Sequence, residues 1–352
     1  MPSSAQLGAI PLNSAPSVEQ FTHSESPTQA ELRHPPNRAV IIGAGAVGAH
    51  LAASFRRGVK LLVVDSDARV RSAFGDRRVE TAELGSSVSS CPFRPGDVAI
   101  IATSASRAAA AGAGVPPWVP MICVANGINA GLDADRSGGL TFGVVEFAAS
   151  SVAPGHALRT RSGWLTLERG SVTAEWLAGA LDPALQPARV VGDLHAHRRA
   201  KLMLNASLDT VAAVIGGTLG DVFRGRESFS AFRSLLSEAL AVARASKWQL
   251  APIQGLTPAG MQRVFGAPIV GAFAARVAAW QARSVQSTLA REIARGELGE
   301  ADQLSGAIIH QGMAVRVPTP VHTRALEVLH RVARGGGGRP ALVRELILNP
   351  GR

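Results

Sequence analysis

The chain has 352 residues, 46% of them hydrophobic, enough to build two domains of ordinary size with substantial cores. Its net charge of +10 comes from scattered arginines with no basic block interleaved with aromatics, and tyrosine is absent. That pattern sets aside a nucleic-acid partner and describes a solvated arginine-rich surface that attracts anionic ligands. No charge-free apolar stretch of about 18 residues occurs, so no membrane span is expected.

Residues 1–36 are rich in Ser, Pro and Gln and lack a basic start followed by an apolar core. They read as a disordered extension, not a secretory signal. The apolar run at 39–42 has the character of a buried parallel strand. It leads into Gly43-Ala44-Gly45-Ala46-Val47-Gly48, in G-x-G-x-x-G spacing, and a helix is expected from residue 49. Gly43 permits the tight turn, Gly45 leaves room for a pyrophosphate against the backbone, and Gly48 lets helix and strand pack closely. The N–H groups at the helix N-terminus then face the anion. A second apolar strand at 61–64, ending at Asp65, completes the strand–helix–strand context that gives the spacing its meaning. These six loop residues, with Asp65, are candidates for dinucleotide binding.

Further along, a helix is expected to about residue 74, a short strand near 78–80, a buried strand at 97–102, an Ala-rich helix at 105–114 and a strand at 121–125 ending in Asn126-Gly127. Alternation of this length predicts a parallel sheet with helices on both faces, whose ligands bind beyond the carboxyl ends of the strands. Gly45, Asp65, Thr103 and Asn126 all stand at such ends. The pieces at 141–147 and 164–167 are expected as antiparallel strands extending the sheet. Two cysteines, Cys91 and Cys123, make no disulfide framework and suit a reducing cytoplasm, and no Cys/His cluster has zinc-ligand spacing, so no metal is expected.

From about residue 195 the apolar spacing is about 3.6, which predicts helices over 195–215, 228–246, 258–265, 270–295, 302–315 and 320–333. Lys201, Asn205 and Asp209 fall at i, i+4 and i+8, on one polar stripe of the first of these helices. Lysine occurs only three times in the chain, at 60, 201 and 247, so one that arginine has not replaced is a candidate for chemistry. A lysine able to give a proton, beside an amide able to orient a carbonyl, suits reduction of a ketone by hydride. Taken alone, Glu300 is an ordinary first-turn acid complementing a helix dipole.

Together these pieces resemble the ketopantoate reductase family (2-dehydropantoate 2-reductases) over about residues 38–333. The resemblance rests on the glycine loop, Asn126-Gly127, Lys201 to Asn205, Ser287-Thr288, the stretch from Gly296 to Asp302 and Val317-Pro318-Thr319-Pro320, in that order. It implies an α/β fold with an N-terminal Rossmann-type dinucleotide-binding domain and an all-helical C-terminal domain. It also implies NADPH-dependent reduction of a 2-oxo acid, and a place in pantothenate biosynthesis. By the same resemblance Lys201 is the general acid, Asn205, Ser287, Thr288 and Glu300 hold the substrate, and Asn126 sits near the nicotinamide.

Four departures bear on these expectations. Arg199 stands where the family usually has tryptophan, Asp209 where it has a second asparagine along the stripe, and Ser104 where it commonly has a lysine. At the end of the second strand, Asp65-Ser66-Asp67 replaces a common arginine. Asp65 lies where an acid hydrogen-bonds the ribose hydroxyls of NAD and repels the phosphate of NADP. The cofactor is therefore expected to be NAD(P)H with NADH favoured, although Arg69 can restore some affinity for NADP. The domains are expected at 37–192 (dinucleotide binding) and 193–334 (substrate and dimerisation), followed by a glycine-rich break and an appended tail over 335–352. The alternatives are an opine- or imine-type reductase of the same superfamily, and a dinucleotide-binding protein without catalysis; retention of Lys201 and Glu300 argues against the second. A homodimer through the helical domain and a cytoplasmic location complete the expectations.

Overall fold

The computed structural model describes residues 36–75, 80–83, 88, 91–126, 132, 136–253, 255–335 and 340–347. The extension expected over 1–36 lies outside the described residues except for its last position, as do Arg78 and Gly127.

The first half alternates strands and helices: β1 (Arg38–Ile42), α1 (Ala46–Ser54), β2 (Lys60–Asp65), α2 (Ala68–Gly75), β3 (Glu80–Glu83), β4 (Asp97–Ile101), α3 (Ala105–Ala113), β5 (Met121–Cys123) and β6 (Leu140–Val145). β1 and β4 are buried along their whole length, and after a charged first residue each is an apolar run of the kind the middle of a parallel sheet requires. The strands lie in the order β3-β2-β1-β4-β5-β6, all parallel, which is the dinucleotide-binding order. In register, Ile42 stands beside both Val64 and Ile101, so the residues that follow these three strands emerge at one level. At the opposite end Arg38 and Asp97 form a buried ion pair, Nη2 to Oδ2 2.7 Å, that ties the start of β1 to the start of β4.

Next come β7 (Ala148–Ala153) and β8 (His156–Arg161), a hairpin outside the main sheet, then β9 (Leu165–Glu168), α4 (Val172–Ala180) and β10 (Ala188–Val191). The expectation of antiparallel strands at 141–147 and 164–167 is corrected in part. β9 does run antiparallel to β6, but β6 runs parallel to β5 and β10 parallel to β9. Residues 124–139 are a connection long enough for a parallel crossover, which needs about a dozen residues.

The second half is helical: α5 (Leu194–Ile215), α6 (Leu219–Arg224), α7 (Arg226–Ala245), α8 (Pro258–Gly266), α9 (Pro268–Gln281), α10 (Thr288–Ala294), a π-helical turn (Asp302–Gly306), α11 (Ala307–Ala314) and α12 (Pro320–Gly335). α5 is capped by Asp193, whose Oδ1 accepts from the Ala196 N–H at 2.9 Å, and is ended by Gly216 with φ of 67°. It packs against α7, α10 and α12, and its apolar side, including Leu202, Met203, Ala206 and Val211, is the centre of the helical core.

The helix expected over 270–295 is broken between Gln281 and Thr288. The carbonyls of Ala282 and Val285 accept from the N–H groups of Gly220 and Leu219, at 3.0 and 2.8 Å, and so leave the helical ladder to satisfy the start of α6. Ser287 then caps α10 by accepting from the Ala290 N–H. The element expected over 302–315 begins as a π-helical turn. Among the described residues no single helix is long and apolar enough to cross a membrane; α8 and α9 pass that test only as a pair, and they bend by 116° at their junction.

The tail corrects another expectation. Pro340–Leu342 and α13 (Val343–Ile347) are not appended to the domain but fold back on α7, with Val343 and Leu346 buried in the helical core. Arg344 and Arg331 fix the segment through Glu227 and Glu345. Leu346→Ala should therefore cost about 2–5 kcal/mol in stability, the range for truncating a buried leucine, when measured by denaturant unfolding. A loss under about 0.5 kcal/mol, the range of an ordinary surface substitution, would show that the segment is peripheral.

Candidate active site

The residues that follow β1, β4 and β5 open into a cleft of about 370 Å³ whose other wall is α5, α10 and the loop carrying Glu300. Gly43 has φ of +90°, and a Cβ there would lie 2.8 Å from Thr103 Cγ2, so only glycine turns the chain here. A Cβ at Gly48 would overlap the Gly43 carbonyl oxygen, so α1 can lie this close to β1 only without a side chain. Gly45 is different. Nothing lies within 4 Å of the position its Cβ would take, and it is the N-cap of α1 with no side-chain cap. Gly45, Ala46 and Val47 line the cleft, whereas Gly43, Ala44 and Gly48 shape the turn from behind.

Asp65 stands apart from the cleft, at the end of β2. Its Oδ2 accepts from the Ala44 N–H at 2.7 Å and its Oδ1 from the Asp67 N–H at 2.9 Å, so one carboxylate ties the glycine loop to the β2 terminus. Asp67 is paired with the exposed Arg69, Oδ2 to Nη2 2.8 Å, which holds the Asp67 carboxyl well below the usual range. Asn126 follows β5 and lines the cleft.

Lys201, Asn205 and Asp209 face the cleft from successive turns of α5. The Lys201 ammonium donates to the Val145 carbonyl at the end of β6, at 2.5 Å, and is thereby held against the sheet. Burial lowers its pKa to about 8, against the opposing effect of the Glu300 and Asp209 carboxylates. Asp209 is buried, which raises its carboxyl to about 7 while Lys201 and Arg161 oppose the rise. Glu300 is 2% exposed and its Oε2 has no hydrogen-bond partner among the described residues. Burial, with Glu292 and Asp209 nearby, raises it to about 7. Ser287 and Thr288 line the cleft beside it, although the Ser287 hydroxyl oxygen is engaged as the α10 cap.

The structure thus brings Gly45, Asn126, Lys201, Asn205, Asp209, Ser287, Thr288 and Glu300 to one cleft, and leaves Asp65 at a separate station on the same strand ends. Of the side chains in the cleft that escaped the sequence reading, two bear directly on its chemistry. Arg161, the last residue of β8, lies against Lys201 and Asp209, and nothing in its neighbourhood in the chain marks it. Glu292 accepts from the Glu300 N–H at 3.1 Å, and its carboxylate occupies the space that any side chain at Gly299 would need. The guanidinium of Arg199 lies 5.5 Å from the Trp248 ring centroid, a cation–π contact.

Comparison with known proteins gives three results. Residues 193–333 match the family described as ketopantoate reductase PanE/ApbA C terminal. No curated protein matches the chain by sequence. Among solved structures, a PanE/ApbA family ketopantoate reductase from Ralstonia eutropha JMP134 is 23% identical with a TM-score of 0.64, the alignment covering 88% of this chain and 100% of that one. D-mandelate dehydrogenase in a ternary structure with NADH and anilino(oxo)acetate is 16% identical with a TM-score of 0.64, over 85% of this chain and 99% of the other. A dimeric ketopantoate reductase from Staphylococcus aureus is 13% identical with a TM-score of 0.60, over 85% and 100%. At these identities the structural likeness establishes the fold, a Rossmann-like domain followed by a helical one.

Proposed function

We propose that this chain, whose residues 193–333 match the ketopantoate reductase C-terminal family, is a member of that family and catalyses NAD(P)H-dependent reduction of a 2-oxo acid, ketopantoate or a close analogue, to the 2-hydroxy acid. The observation that carries this reading is a partly buried lysine, flanked by an amide and two carboxyl groups, facing a glycine fingerprint loop across one cleft. The loop suits a dinucleotide, because the N-terminus of α1 has no side-chain cap and the space beside Gly45 is open. Gly45, Ala46 and Val47 would hold the pyrophosphate, Asn126 would lie by the nicotinamide, and Asp65 would meet the adenosine ribose. When bound, that cofactor supplies the hydride.

The remaining work falls to this chain's side chains. Lys201 polarises the carbonyl and gives its proton to the oxygen as the alkoxide forms, and Asn205, one turn on, orients the same oxygen. Arg161 supplies positive charge for the substrate carboxylate. Ser287, Thr288 and Glu300 close the far side. Purified protein should oxidise one NADH per 2-hydroxy acid formed; failure with a panel of 2-oxo acids and both cofactors would remove the reading. The exposed apolar residues of α9, with Ile269 85%, Phe273 70% and Trp280 65% exposed, are where a second copy would pack in a homodimer.

NADH is proposed to serve at least as well as NADPH. The acid at Asp65 repels a 2′-phosphate, and of the two arginines that follow it Arg69 is held by Asp67 while Arg71 donates to the Asp65 and Ser66 carbonyls. Asp67→Ala should release Arg69 and raise kcat/KM for NADPH relative to NADH. A wild type that already prefers NADPH strongly, with no response to this change, would contradict the assignment.

Glu300 is proposed to bind substrate without taking part in hydride transfer. With its carboxyl raised to about 7, it is neutral below that pH and can donate, and it becomes an anion that repels the substrate carboxylate above it. KM for the 2-oxo acid should then rise as pH passes through about 7, and Glu300→Gln, which stays neutral, should flatten that rise. Glu300→Ala should raise KM at every pH with cofactor affinity nearly unchanged. If cofactor binding collapsed instead while KM held steady, Glu300 would belong to the other half of the site.

A further inference from the structure

A second cavity, of about 440 Å³, opens from the catalytic cleft and shares one wall with it: Val145, Arg161, Lys201, Asn205, Asp209 and Leu219 line both. Beyond that wall its character changes. Phe223, Phe232 and Phe265 line its depth, with ring centroids 5.5 to 5.9 Å apart, and Ile253, Met261 and Val264 fill between them. Besides the shared wall, among the described residues only Glu146 and Gln281 bring polar side chains to it. The Glu146 carboxylate is already engaged by Thr166, Arg189 and His197, and Gln281 is exposed. The sharp bend between α8 and α9 wraps these apolar side chains around the cavity.

A group bound with its carbonyl at Lys201 and its carboxylate at Arg161 lies at the shared wall, and the aromatic chamber opens beyond it to take the substituent. We propose that the substrate is a 2-oxo acid with a bulky apolar side chain, aryl or branched alkyl, and that the chamber is its specificity pocket. This rests on the reading of the cleft as a 2-oxo acid reductase site. A chamber lined this way gains from each apolar group it takes out of water and gives a polar substituent no partner. A small substituent leaves it unfilled.

Binding tests the chamber, and turnover separately tests the reaction. Oxamate and anilino(oxo)acetate carry the same acid end, and the second adds a phenyl ring. Calorimetric titration of the protein saturated with NADH should show anilino(oxo)acetate bound more tightly than oxamate by at least about tenfold. Ala278→Phe, which places a ring inside the chamber, should erase that difference while leaving oxamate affinity unchanged. Val277→Phe, on the same wall but more exposed, serves if the first variant does not fold. Equal affinity for the two ligands, no detectable binding of either, or a preference that survives the filling variant would overturn the assignment. In turnover, kcat/KM for phenylpyruvate should exceed that for pyruvate by a similar factor. Pyruvate reduced as well as phenylpyruvate would overturn the substrate class and leave the reductase reading intact. If no 2-oxo acid were reduced but the phenyl preference in binding held, the reaction would fail and the chamber would stand.

Discussion

Replacing Lys201 with alanine should lower kcat for reduction by about 10²–10⁴, with NADH affinity close to that of the wild type. Hydride arriving at a ketone carbon leaves an alkoxide, a strong base that must gain a proton at or near the transition state. Lys201 is placed for this. It is partly buried, it is held to the Val145 carbonyl, and its pKa is lowered to about 8 chiefly by desolvation, so at neutral pH it remains protonated yet gives up the proton more readily than an ordinary lysine. The sign of the pH dependence follows. Reduction needs the ammonium, so kcat should fall as pH rises through about 8, and that descending limb should be missing from Lys201→Ala. Lys201→Arg should also be poor, because a guanidinium keeps its charge but does not readily release a proton. If Lys201→Arg retained near wild-type kcat, Lys201 would act only as an electrostatic clamp and the proton would come from elsewhere.

The parts of this site that a sequence reading reaches are those with a local signature. After their first residues β1 and β4 are apolar runs, the glycine spacing encodes a turn that needs glycine at Gly43 and Gly48, and the i, i+4, i+8 spacing puts Lys201, Asn205 and Asp209 on one stripe of α5. Arg161 has no such signature. It ends a hairpin whose strands are partly exposed on both faces, so no alternation of polar and apolar residues reveals β7 and β8, and it is one arginine among many. The break before α10 is hidden for a related reason. The apolar spacing runs through Val285 and Leu289 as if the helix continued, and only the tertiary bonds from Leu219 and Gly220 show where the backbone carbonyls went. The aromatic chamber likewise gathers Phe223, Phe232 and Phe265 from three different helices. Their spacing in sequence is that of ordinary core residues.

Gly45→Val should weaken NADH and NADPH binding by well over about tenfold, a change of more than 1.4 kcal/mol, while the circular dichroism spectrum and thermal midpoint stay near the wild type. The fold has no objection to a side chain here: φ at Gly45 is −64°, and the space its Cβ would fill holds no protein atom. What the branched side chain would meet is the pyrophosphate, which must approach the backbone of this residue to reach the N-terminus of α1. Gly48→Val is the contrasting change. Its Cβ would overlap the Gly43 carbonyl and press on Ala102, so α1 could not pack against β1, and stability would fall together with binding. The two variants separate a glycine kept for a ligand from a glycine kept for packing. If Gly45→Val bound NADH and NADPH as the wild type does, no dinucleotide could lie against this loop, and the assignment of the cleft as a reductase site would lose its premise.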